Sequence, residues 1–228
     1  MYVLDTWRNP YEEGWSVCRR KQIEIQEGLT VLVGCNGFGK STTLLNLRES
    51  LRNNKIPCFY HDNQLDGENA FHQAFSQGQL SFISSFWTAS EGERIYMNVN
   101  QIAAQLKEFV QTGETAKSKK DKRWHQIFGE KDEEIVSDER FLLLDAIDSG
   151  FSIDNVVELK DVLHLVIDDA QKNGIALYII VSANEYELAA GEQCLDVSSG
   201  KYISFKDYND YRQFILNSRK KKEKRYKK

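Results

Sequence analysis

Gly34, Gly39, Lys40 and Ser41 stand at the spacing G-x-x-x-x-G-K-S. Residues of these types in this order can hold a chain of phosphates. Glycines let successive backbone N–H groups curl around the anions, and the N-terminus of a following helix adds partial positive charge. The Lys40 ammonium then reaches the β- and γ-phosphates, and the Ser41 hydroxyl ligates magnesium. Asn36, Gly37 and Phe38 complete the cradle, with Thr42 beyond Ser41. A chance glycine-rich turn is the plain alternative, but the flanks argue against it. Leu29–Val33 reads as a strand running straight into the loop. From Lys40 to about Asn53, Leu44, Leu45, Leu47 and Leu51 give the next segment one apolar helical face. ATP and Mg2+ are the expected ligands.

The elements that must position this loop form an α/β pattern. Strands are expected at Tyr2–Leu4, Gln22–Ile25, Ile56–Tyr60, Phe141–Leu144 and Ile175–Val181. The last two are continuous apolar runs, as in strands buried on both faces of a sheet. Helices are expected at Ile153–Lys172 and Tyr208–Asn217. A longer one, from Ser90 to about Gln111, carries Ile95, Val99, Ile102, Leu106 and Phe109 at three- and four-residue steps. Residues 112–138 are charged and poorly periodic, and read as an exposed loop. With 41% hydrophobic and 11% aromatic residues among 228, a packed core needs neither disulfide nor metal. Cys18, Cys35, Cys58 and Cys194 are scattered and read as free thiols. No apolar run approaches the ~20 residues of a membrane helix. The N-terminus has acids and Pro10 where a signal peptide needs an apolar segment. The expectation is a soluble, cytoplasmic protein with no membrane partner.

Charge is unevenly spread. Arg219–Lys228 holds eight basic residues and one acid, whereas residues 1–218 carry 22 lysines and arginines against 33 acids, a net charge of −11. Residues 218–228 therefore read as an unpacked basic tail behind a single domain at 1–217. Such a tail attracts nucleic-acid phosphates without regard to sequence. A solubilising end is the bland alternative.

The string GCNGFGKSTTL resembles the phosphate loop of ABC-type ATPases. Phe141–Gly150, FLLLDAIDSG, looks like the Walker B strand and D-loop of that family, which would make Asp145 the carboxylate that holds magnesium. Thr88–Ile95, TASEGERI, looks like a variant of its signature motif, with Ser90 and Gly92 placed to cap the γ-phosphate of an opposing subunit. Ser-Glu-Gly-Glu is also an ordinary helix start. The resemblance implies a P-loop NTPase with an ABC-like mixed sheet flanked by helices, and an ATP-dependent homodimer. It also implies a glutamine contacting magnesium, best placed at Gln64 with Gln73, Gln77 and Gln79 as rivals. An aromatic on adenine is implied at Tyr11 or Trp15, either of which is equally well a core side chain. L-D-x-I-D-S-G is closer to chromosome-maintenance (SMC) and RecF-type heads than to transporter subunits.

Two departures bear on hydrolysis. Ala146 stands where the family has its catalytic glutamate, and alanine can neither accept a proton nor orient water. Ala183 stands where the family has a histidine that senses the γ-phosphate. Asp148, Asp154 and Asn184 are possible substitutes, though their spacing does not favour them. Only 25 residues separate Gln64 from Ser90, and about 44 lie between Met97 and the Walker B strand, too few for a long coiled coil. The helical lobe is therefore reduced. The expected function is an ATP-binding head that dimerises on ATP, hydrolyses slowly and acts on DNA through Arg219–Lys228. The alternative is an ATP-dependent switch for an unidentified protein partner, and a transporter subunit ranks last.

Overall fold

Side chains alternating along parallel strands divide the interior into two apolar layers. The structure, a computed structural model, describes residues 1–5, 20, 22–62, 103–114 and 137–226. In β5 (Glu139–Asp145), Phe141 and Leu143 enter one layer while Leu142 and Leu144 enter the other. In β6 (Ala176–Ser182), Tyr178 and Ile180 likewise oppose Leu177, Ile179 and Val181. This two-sided burial is why both segments are continuous apolar runs in the sequence.

Among the described residues, six strands form the main sheet in the order β4-β5-β6-β3-β7-β8. These are β3 (Gly28–Val33), β4 (Cys58–Asp62), β5, β6, β7 (Gln193–Asp196) and β8 (Lys201–Ile203). All neighbours are parallel except β7 and β8. A separate antiparallel pair joins β1 (Tyr2–Asp5) to β2 (Gln22–Ile25). The architecture is α/β, with a mixed, mostly parallel sheet flanked by helices.

Helix α1 (Lys40–Asn53) covers one face, burying Leu44, Leu47 and Leu51 with Leu4, Ile23 and Ile25 of the small strand pair. Each leucine so buried contributes about 1.5–3 kcal/mol. A helical segment at 103–112, here α2, buries Leu106, Phe109 and Val110 in the other layer. There it meets α3 (Ile153–Lys172), whose Val156, Leu159, Leu163, Ile167 and Ala170 recur at helical spacing. Ser152 caps α3 by accepting from the Asn155 N–H at 3.4 Å. A short helix, α4 (Tyr186–Ala189), and a long one, α5 (Tyr208–Tyr226), complete the described elements. No helix among the described residues is long and apolar enough to cross a membrane.

Three expectations change. The strand expected at Ile56–Tyr60 lies two residues later, because Pro57 has no N–H and enters the ladder only as acceptor from the Phe141 N–H, at 3.1 Å. Strands β7 and β8 carry no expectation from the sequence. The basic tail does not begin at 218. The helix expected to stop at Asn217 continues through Tyr226, Ser218 is buried, and Arg219 pairs with Glu223 at 3.1 Å one turn on. Lysine, arginine and glutamate are good helix formers, and the i,i+4 pair offsets part of the like-charge repulsion. Of the loop expected at 112–138, only the ends are described, and Gly113 there is buried.

Burial pushes the Cys58 and Cys194 thiols up to about 12. At pH 8 only about one thiol in 10⁴ would then be ionised, and the thiolate is the nucleophile. Both cysteines should resist iodoacetamide at pH 8 in the folded chain and be alkylated on unfolding, as read by peptide mass spectrometry. Rapid labelling of either cysteine in the folded chain would show that its strand, β4 for Cys58 or β7 for Cys194, opens.

Candidate phosphate-binding site

The described candidate residues gather where β3, β5 and β6 end. Strand β6 lies between the other two, pairing Leu32 with Ser182 on one side and Leu144 with Val181 on the other. This register sets the glycine loop, Asp145 and the residues after Ser182 side by side. A crevice at the carboxyl ends of parallel strands is where open α/β sheets bind ligands.

The loop leaves β3 at Gly34 and enters α1 at Lys40. Gly34 has φ 156°, and a Cβ there would lie 3.1 Å from Val197 Cγ2 and 3.3 Å from Phe38 Cδ1. Phe38 is buried and fastens the loop to the α1 layer, while its N–H donates to the Cys35 carbonyl at 3.0 Å. Asn36 and Gly37 are exposed at the tip, and Ser41 is exposed in the first turn of α1, beside half-buried Thr42. The Thr43 N–H and hydroxyl both donate to the Gly39 carbonyl at 2.9 Å, closing that turn.

Lys40 is only 9% exposed, and its Nζ donates to the Gly34 carbonyl at 2.8 Å. Burial pushes its ammonium below the usual lysine range, opposed by the charges of Asp148, Cys35 and Asp145 in that order. The cation is thus held by one neutral carbonyl, with two carboxylates close enough to act on its charge.

Asp145, 4% exposed, accepts the Ser182 hydroxyl at 2.5 Å, and Ser182 Oγ accepts the Ala146 N–H at 2.8 Å. Ala146 has φ 49°, in the left-handed region, which costs a non-glycine residue about 1–2 kcal/mol. Asp148, 2% exposed, accepts the backbone N–H groups of Asn184 at 2.5 Å and Glu185 at 2.8 Å. Tyr211 of α5 donates to the Asn184 carbonyl at 3.0 Å. Asp148 thus clamps the segment after β6 and also faces Lys40.

Among the candidates, Asn36, Gly37, Phe38, Gly39, Lys40, Ser41, Thr42 and Asp145 share this end of the sheet with Ala146. Ala183 is fully buried in the apolar layer that holds α3, so the polar residue at the rim is Asn184. Asp154 is exposed in the first turn of α3, where an acid favours the helix N-terminus. Tyr11, Trp15, Gln64, Gln73, Gln77, Gln79, Ser90 and Gly92 lie outside the described residues. Asp148, whose spacing does not favour it, is buried beside Lys40, and Ser182 carries no sequence signal of its own. Two contacts from α5 were missed altogether. Ser218 Oγ accepts the Cys35 N–H at 3.0 Å, and Lys222 Nζ donates to the Asn36 carbonyl at 2.8 Å.

No cluster of three or more His, Cys, Asp or Glu side chains that could hold a metal occurs among the described residues. One hydroxyl, Ser41, and one carboxylate, Asp145, nevertheless fit magnesium. That ion keeps several waters and takes phosphate oxygens in preference to an all-protein cage. No protein-family model matches the sequence, and no curated protein does.

Removing the Asp148 carboxylate leaves two partly buried N–H groups, of Asn184 and Glu185, without their acceptor. Asp148→Ala should lower unfolding free energy by about 1–3 kcal/mol in urea titration. An unchanged midpoint would show that the clamp carries no stability.

Proposed function

We propose that the chain binds ATP with magnesium as an ABC-type ATPase head, closest in kind to SMC and RecF heads. The observation that carries this reading is the buried Lys40 at the entry to α1. It is held by the Gly34 carbonyl while Asp145 and Asp148 stand at the end of β5. An ordinary glycine turn has no reason to bury a cation. On this reading the loop amides and Lys40 take the phosphates, and Ser41 and Asp145 hold the magnesium that neutralises them. Two chains close over two nucleotides about a twofold axis, each presenting Ser90 and Gly92 to the other's γ-phosphate, so both sites form together.

Lys40→Ala should abolish ATP binding in calorimetry. Undiminished affinity would sink the assignment. Ser90→Arg should leave nucleotide binding by the monomer intact and block the ATP-driven dimer, as read by light scattering. A variant dimer as stable as the unmodified one would refute the trans cap.

Ala146 supports slow turnover. A positioned general base contributes about 10²–10⁴-fold, and no side chain at 146 can act as one. Ala146→Glu should raise ATP hydrolysis. If the unmodified chain already hydrolyses briskly, the working carboxylate is elsewhere, with Asp148 first in line. A binding-competent but sluggish site also suits a second reading, an ATP-dependent switch for a protein partner.

DNA binding rests on the exposed cations of α5, among them Lys220, Lys221 and Lys224. Reversing these three to glutamate should flatten the log–log salt dependence of duplex binding by about 0.9 per lost phosphate contact. An unchanged slope in filter binding would leave the helix as a solvated end.

A further inference from the structure

Helix α5 crosses the site on a single stripe of residues. Tyr211 reaches the Asn184 carbonyl at one end, Phe214 and Ile215 pack on the core, and Ser218 and Lys222 meet the glycine loop at the other. Positions 211, 214, 215, 218 and 222 share one face of a 3.6-residue helix. The fit is close. Ser218 is 3% exposed, and Gly37 at φ 69° leaves room for a lysine head, since a Cβ there would stand 2.5 Å from Lys222 Nζ.

We propose that Lys222 is a phosphate-binding residue, through which the C-terminal helix brings a second ammonium to the exposed tip of the glycine loop to bind the terminal phosphate of a nucleoside triphosphate in the same chain. The assignment rests on the nucleotide reading above and extends it to a residue outside the loop motif. Lys40 serves the buried base of the loop, at Gly34, whereas Lys222 serves Asn36 and Gly37 at its solvent side. An ammonium on a neutral carbonyl gains by exchanging it for a phosphate oxygen, because the anion adds charge–charge attraction to the hydrogen bond. The side chain need only swing on its flexible stem, since Ser218 anchors the helix one turn back. A cation at the tip favours three phosphates over two, because the last phosphate adds charge there.

The full-length Lys222→Gln variant keeps a donor and loses the charge. Calorimetry with Mg-ATP and Mg-ADP, beside Lys40→Ala, tests the assignment. Lys222→Gln should weaken ATP about tenfold and ADP less than about twofold, with Lys222→Arg within about threefold of the parent for both. Unchanged melting temperatures in circular dichroism would show that the variants are folded. Equal loss of ATP and ADP would overturn the proposal and make Lys222 only a brace for the loop. Unchanged ATP affinity in Lys222→Gln, with binding lost in Lys40→Ala, would overturn it while leaving the nucleotide reading intact. ATP binding that survives Lys40→Ala would overturn both.

Discussion

Keeping an ammonium ion at 9% exposure is the constraint around which this end of the sheet is built. Water solvates a lysine head far better than a protein interior does, so Lys40 is buried at a cost unless its surroundings replace that solvation. The Gly34 carbonyl supplies a direct acceptor, and Asp148 and Asp145 supply negative charge. The Gly34 carbonyl lies in the same loop, but neither carboxylate would be in reach without parallel pairing of β6 with both β3 and β5. The sheet order is thus what makes a buried cation tolerable.

The carboxylates around Lys40 are held in different ways. Asp145 is bound to the Ser182 hydroxyl, which also takes the Ala146 N–H, so one serine ties the ends of β5 and β6 together. Asp148 accepts two backbone N–H groups from the segment after β6. Between them sits Ala146 in a left-handed conformation, where a side chain able to act on water is missing. Strain of this kind persists where the surrounding bonds over-determine the backbone.

Helix α5 changes the meaning of the basic C-terminal segment. Composition alone makes it a run of repelling charges. In the fold, Arg219 pairs with Glu223, Lys222 turns to the loop, and Lys220, Lys221 and Lys224 face solvent. One helix therefore divides its cations between two surfaces, and Tyr211 and Ser218 fix which face is which.

By itself the sequence determined what depends on neighbours along the chain. The loop at Gly34–Ser41 was legible because its glycines and the strand and helix that flank it are contiguous in the chain. The buried strands β5 and β6 and the helices α1 and α3 were legible because apolar periodicity and continuous apolar runs follow from which faces are covered. Tertiary structure alone decided which distant groups meet. Ser182 reaches the Ala146 N–H across 36 positions, Ser218 reaches Cys35 across 183, and Lys222 reaches Asn36 across 186. A hydroxyl or an ammonium carries no mark of its partner in a one-dimensional pattern. Strand order and register bring β5 and β6 to β3, and the packing of Phe214 and Ile215 lays α5 over the loop. Only then do a serine and a lysine from the far end of the chain become part of the site.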